Sequence, residues 1–210
     1  MDSVTICNLS LMAAGMAPIT ELGENSNSGR LCKIFYPVVR DRVLRDHIWS
    51  FAQFYCVLSQ NNEESPDRDF PVICNLPGDL VRIVKVNEGD TYKRVSDRIM
   101  LKTLPATLLY IRKVEDPNLF DAAFTDALQQ LLAAEISLAS SRDIQQAQYF
   151  RNQYQEKLAI ARSIDSQENV YFSEKKKKYS SFIEARGHHS SRSNGRITFV
   201  EGDSGRQRGF

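Results

Sequence analysis

The sequence contains no run of the roughly 18 to 20 consecutive apolar residues that a membrane-spanning helix requires. It has no Cys-x-x-Cys pair. Cys7, Cys32, Cys56 and Cys74 are widely spaced, and no histidine stands at ligand spacing from them. Zinc needs clustered ligands, so the four cysteines are read as buried, reduced thiols of a protein made in a cytoplasm. The Gly-x-Ser-x-Gly elbow, the P-loop, the Gly-x-Gly-x-x-Gly turn and His-Glu-x-x-His are all missing. The apolar N-terminus "MDSVTICNLSLMAAGMAP" has an acid at Asp2 and no basic region before it, so it reads as a helix and not as a signal peptide.

Proline and glycine are absent from long stretches. All seven prolines lie at or before Pro117, and no glycine occurs between Gly89 and Gly187. Residues 118–186 therefore hold neither helix breaker, whereas five of the ten glycines fall in the last 24 residues. Charge is also uneven. Residues 1–172 carry 18 Lys and Arg against 22 Asp and Glu, a net −4, and residues 173–210 carry 9 against 4, a net +5. A mildly acidic body is followed by a basic tail.

What is present divides the chain by hydrophobic period. An apolar helix is expected over about Val4 to Met16. A second is expected from about Gly29 to Asp46, capped from within Ser26 to Ser28. Its stripe is Leu31, Phe35, Val39 and Val43, with Ile34 and Val38 beside it and Pro37 as a source of a kink or an irregular first turn. From Ser50 to Arg112 the period shortens to that of strands. "FAQFYCVL", "FPVICNL", "DLVRIVKV", "TYKRV", "RIML" and "ATLLYIRKV" predict one antiparallel sheet or small barrel of five or six strands. The acidic loop Gln60 to Asp69 reads as a solvated hairpin tip, since it lacks calcium-loop spacing. The helical period returns after Asp116, an expected N-cap with Pro117 at the first helical position. Phe120, Phe124, Ala127, Leu131, Ala134 and Leu138 share a face. Ser140 or Ser141 is expected to cap a last helix striped by Ala147, Phe150, Tyr154, Leu158 and Ala161. The short connection makes these two helices an antiparallel hairpin.

The fold class is thus α+β: a bundle of about four helices, residues 1–49 and 114–166, with an inserted antiparallel β domain, residues 50–113, and an extended basic tail, residues 167–210. The junction between helix and strand holds the only tryptophan, Trp49, with Phe51, Phe54 and Tyr55 close behind. Large aromatics bury the most area per residue, so these four are read as a packing joint. His47, at the helix end, reads as a capping or packing residue and not as a base. His188 and His189 lie in the tail, where a reacting group is difficult to position. No catalytic residue, cofactor or metal ligand is assigned. In the tail, Lys175, Lys176, Lys177 and Lys178 form a cationic run suited to phosphates. "RITFVEG" keeps a short β-like core suited to ordering on a partner.

The order of these segments resembles the tail tubular protein A family, the head-to-tail adaptors (gatekeeper rings) of short-tailed bacteriophages. The match covers about Leu9 to Asp165. It rests chiefly on the Trp-x-Phe-Ala junction at Trp49–Ala52, the Leu-Pro-x-Asp turn at Leu76–Asp79, and the stretch from Tyr110 through Ala134. The resemblance implies a virion structural protein and no enzyme. About twelve copies would close a ring beneath the portal protein by heterologous contacts. That ring would extend the channel for genomic DNA, which passes without specific binding, and would present a surface to the tail nozzle protein and to tail fibres. The location implied is the head–tail interface of the virion, after synthesis in the bacterial host cytoplasm, with no membrane contact. Lys175–Lys178, Phe199, Arg206, Arg208 and Phe210 are the tail residues expected to contact the portal or a neighbouring copy. Two other readings compete. A tail-associated peptidoglycan hydrolase would use two carboxylates, which need no motif. A DNA-binding module would use the basic tail and show steep salt dependence.

Overall fold

The computed structural model describes residues 1–87 and 89–168 of the 210-residue chain. Two helices open it, α1 (Ser3–Ala13) and α2 (Asn27–Asp46), followed by six strands: β1 (Gln53–Leu58), β2 (Val72–Asn75), β3 (Leu80–Val86), β4 (Lys93–Val95), β5 (Arg98–Leu101) and β6 (Ala106–Arg112). Helices α3 (Ala122–Ser140) and α4 (Ile144–Glu168) complete the α+β fold. No helix among the described residues is long and apolar enough to cross a membrane.

Each helix starts on a side-chain cap or near one. Asp2 accepts from the Thr5 amide at 2.9 Å to begin α1, and Ser26 accepts from the Gly29 amide at 3.0 Å to begin α2. Two of the expected caps lie elsewhere. Asp116 caps a 3-10 turn, Pro117–Leu119, and α3 begins later, after Asp121. Ser140 still belongs to α3, and the start of α4 is held by Asp143, whose carboxylate accepts from the Gln146 amide at 2.9 Å. Asp143 lies nearer α4, at the end where a negative charge is favoured, whereas the Asp121 side chain makes no cap bond and only its carbonyl accepts, from Thr125.

Helix α2 runs without a break through Pro37. Pro37 and Lys33 are exposed, so the Lys33 carbonyl that loses its helical donor can face water. The buried face is Cys32, Tyr36, Val39, Arg40, Val43 and Leu44, with Leu31 and Phe35 half-buried. Ile34 and Val38, expected beside the stripe, are exposed. Helix α3 packs against α1, α2 and α4, and this is why it is buried on more than one stripe. Leu128, Leu132, Ala133 and Ile136 are buried together with Phe124, Ala127, Leu131 and Ala134. The expected α4 stripe of Ala147, Phe150, Tyr154, Leu158 and Ala161 is buried throughout.

The strands form two three-stranded antiparallel sheets, ordered β1-β6-β3 and β2-β5-β4, where one sheet or a barrel was expected. Strand β6 is central in the first and mostly buried, with Thr107 exposed. Ala106, Leu108 and Tyr110 join a core with Ile99 and Leu101 of the second sheet, and Ile111 joins the core of the helices. Strand β3 reaches the same two cores by an irregular path. Leu80, Ile83 and Val86 are three apart, which in a regular strand would alternate faces. Register shifts that leave Val81 and Val84 unpaired restore all three to the second-sheet side, while Val81 and Val84 pack towards the helices. The loop Gln60 to Asp69 is tied back to the second sheet by ion pairs from Asp67 to Lys93 and from Glu63 to Arg98.

Gly29 opens α2 under the backbone of the preceding loop. A Cβ there would lie 2.3 Å from the Glu24 carbonyl oxygen, closer than packed atoms allow. Gly29→Ala should therefore destabilise the fold by about 1 to 3 kcal/mol despite alanine's better helix propensity. Urea unfolding measures it, and an unchanged or raised midpoint would contradict the close approach.

Candidate functional site

The densest set of specific interactions lies where α2 ends and the chain passes to β1. A helix C-terminus leaves carbonyls without intrahelical donors. Here three carbonyls of the last turn receive side chains from three different elements. The Trp49 indole Nε1–H donates to the Val43 oxygen at 2.8 Å, Arg82 of β3 donates through Nη1 to the Arg45 oxygen at 3.2 Å, and Arg162 of α4 donates through Nη2 to the Asp46 oxygen at 3.2 Å. Two of the donors are cations at the negative end of the helix dipole. The Asp46 carboxylate also accepts from the Tyr154 hydroxyl of α4 at 2.6 Å.

Trp49 is 1% exposed and sits in a ring cluster. Its ring meets Phe124 edge-on at 5.1 Å and His47 edge-on at 4.8 Å. Phe51 lies 5.2 Å from Phe124 and 5.9 Å from Phe120, and Phe120 lies 4.7 Å from Phe124. The cluster joins the helix–strand connection to the start of α3. Phe54 and Tyr55 do not belong to it, which corrects the four-residue joint expected from the sequence. They lie on β1, 45% and 58% exposed. The Phe54 ring meets Tyr110 of β6 at 5.9 Å and lies under the Arg112 guanidinium, and Tyr55 faces outward. Successive side chains of β1 leave on opposite faces, Phe54 on the side of Tyr110 and Tyr55 on the other, and neither reaches the cluster.

The Leu76–Asp79 turn is tied to β6 in two ways. Asp79 accepts from the Tyr110 hydroxyl at 3.0 Å, and its carbonyl accepts from the Lys113 amide at 2.7 Å. Beyond β6, a four-charge cluster links this connection to α2. Buried Arg40 donates to Asp41 at 2.8 Å and to Glu115 at 3.4 Å, while Lys113 lies 3.0 Å from Glu115 and 3.6 Å from Asp41. Lys113, with Arg40 behind it, holds the Glu115 carboxyl below the usual range. A group held as carboxylate suits an ion pair and is a poor proton donor, so Glu115 is not set up as a general acid.

The cysteines are free. Cys7, Cys32 and Cys74 are buried, whereas Cys56, expected to be buried, is half-exposed on β1. Among the described residues no group of three or more His, Cys, Asp or Glu is placed to hold a metal ion. Lys175, Lys176, Lys177, Lys178, Phe199, Arg206, Arg208 and Phe210 lie outside the described residues, as do His188 and His189. The sequence reading missed the role of Arg82, Arg162 and Tyr154, because nothing local marks a side chain as the donor to a distant helix end.

Trp49→Ala should cost about 3 to 5 kcal/mol, since it empties a buried aromatic site and removes a donor to the Val43 carbonyl. Tyr55→Ala should stay within about 1 kcal/mol, as an exposed residue does. Equal shifts in thermal unfolding would contradict this division. The two tyrosine bonds also predict an alkaline limb. The hydroxyl of Tyr154 is pushed above its ordinary pKa by burial and by donation to Asp46, and that of Tyr110 is pushed up to about 12 by burial and by donation to Asp79. The folded state thus holds its phenolic protons more tightly than the unfolded state. Their contribution is complete below about pH 10, the unfolded phenol value, and is lost as pH rises through the folded values. Tyr154→Phe and Tyr110→Phe should each lower stability at neutral pH by about 1 kcal/mol and flatten its fall at alkaline pH. Denaturant titrations across pH test both, and a variant with the wild-type pH slope would refute the bond it removes.

No family model matches the chain, and a search of curated proteins finds no match.

Proposed function

We propose that the protein is a structural subunit of a head-to-tail adaptor ring of the tail tubular protein A kind, which docks beneath a portal and extends the channel through which DNA passes. One observation carries the reading. Of the three stretches on which the resemblance rests, the one from Tyr110 through Ala134 contacts each of the other two. Trp49 and Phe51 pack on Phe120 and Phe124, and Asp79 is bonded by Tyr110 and Lys113. Residues far apart in sequence that meet to lock two layers together serve a protein whose task is to bear load between fixed partners.

The surface supports the same reading. Unpartnered apolar side chains stand on several elements: Ile34 and Val38 one turn apart on α2, Ile160 and Ile164 one turn apart on α4, and Tyr55 and Val57 on β1. A ring built from heterologous contacts needs two different patches on every copy, and exposed apolar groups in pairs are suited to such contacts.

The test is the native mass of the purified protein, alone and mixed with the portal ring encoded in the same genome. The expected result is a monomer in dilute solution that adds about twelve copies to the portal, as a closed ring requires. A chain that ignores the portal, or that cleaves peptidoglycan with loss of activity on one carboxylate substitution, would overturn the proposal.

A further inference from the structure

The four outer strands of the two sheets are guarded unequally. An edge strand presents unpaired N–H and C=O groups and accepts another strand unless charge, proline, a bulge or shortness prevents it. Strand β3 carries Arg82, Lys85 and two register shifts. Strand β4 is three residues long and contains Lys93 and Arg94. Strand β2 is four residues long, framed by Pro71 and Pro77, and its outer side is engaged where Gln60 bridges Cys74. Strand β1 has none of these protections. Its six residues, Gln53–Leu58, include no charge and no proline, and its register with β6 is unbroken. Val57 is 72% exposed, beside exposed Tyr55. An open cleft at the end of this strand is lined by Cys56, Val57 and Leu58 together with Asn75, Leu76 and Pro77.

The chain carries a segment fit to fill that edge. "RITFVE", Arg196–Glu201, alternates Ile197 and Phe199 with Thr198 and Val200 and is bounded by Gly195 and Gly202, the pattern of a short strand. Helix α4 passes the end of α2 through the Arg162–Asp46 bond, a few residues before β1 begins. The residues between Glu168 and Arg196 allow a span of up to about 90 Å when extended. That is enough to reach another molecule.

We propose that residues 196–201 of one copy add as a strand to the open edge of β1 in a second copy. Main-chain hydrogen bonds would supply the attraction, and Ile197 and Phe199 would lie against Tyr55, Val57 or the cleft beside them. The edge and its occupant are different parts of the chain, as a head-to-tail contact requires. The inference deepens the ring reading and rests on it only for the presence of neighbouring copies.

Hydrogen exchange at residues 53–58 tests it, using the full-length chain at high concentration without the portal. The outward amides of β1 should exchange about tenfold more slowly as concentration rises. Thr198→Pro should abolish that slowing, since proline in the added strand removes a donor and its fit. Unlabelled Val57→Lys chain, with a guarded edge and an intact segment, should restore the slowing in isotope-labelled Thr198→Pro chain. Exchange indifferent to Thr198→Pro would overturn the proposal. So would protection that is independent of concentration and is not restored by mixing, because the segment would then close on its own chain. If β1 responds as stated while the chain ignores the portal, the adaptor reading fails and this contact stands. If about twelve copies dock and β1 never responds, the reverse holds.

Discussion

The C-terminus of α2 is the constraint on which the rest of the structure depends. Its last turn offers carbonyls that must find donors, and those donors come from the connecting segment, from β3 and from α4. Each bond is modest alone, and the two arginines are exposed to solvent. Together they fix where three elements stand relative to one helix end. Trp49 is the most consequential of them, since one side chain both fills the core and supplies a donor.

From that point the two layers share their packing. Strand β6 packs on the second sheet through Ala106, Leu108 and Tyr110 and on the helices through Ile111. Strand β3 keeps pace with it only through its two bulges. The aromatic cluster of Trp49, Phe51, Phe120 and Phe124 and the bond from Tyr110 to Asp79 close the joint on either side of the first sheet. Packed rings of this kind have few alternative arrangements. The outward faces of α2, α4 and β1 carry apolar groups that the other described residues do not cover.

Much of the architecture was legible in the sequence. The stripe of α4 spaced at Ala147, Phe150, Tyr154, Leu158 and Ala161 is buried as read, and six strands occupy the stretch where the period shortens. Caps were less legible, because Asp116 is used by a 3-10 turn before α3 begins, and Ser141 and Asp143 are equally good acceptors until the approach of the chain selects one. The α2 stripe was misplaced at Ile34 and Val38, because a helix lying on the bundle buries only the face its neighbours reach. At the junction, the cluster of aromatics was visible, while its division into buried Trp49 and Phe51 and outward Phe54 and Tyr55 was not.

The sequence by itself determined which stretches are helix and which are strand, since period and breakers act over a few residues. It also placed the aromatic joint at the change from one to the other. The tertiary structure alone decided that the strands part into two sheets, that Arg82, Arg162 and Tyr154 serve the end of α2, and that no described strand pairs with the outer edge of β1. Those outcomes depend on pairings between residues tens of positions apart, and a local pattern carries no information about which distant group arrives to satisfy an unpaired donor, acceptor or apolar face.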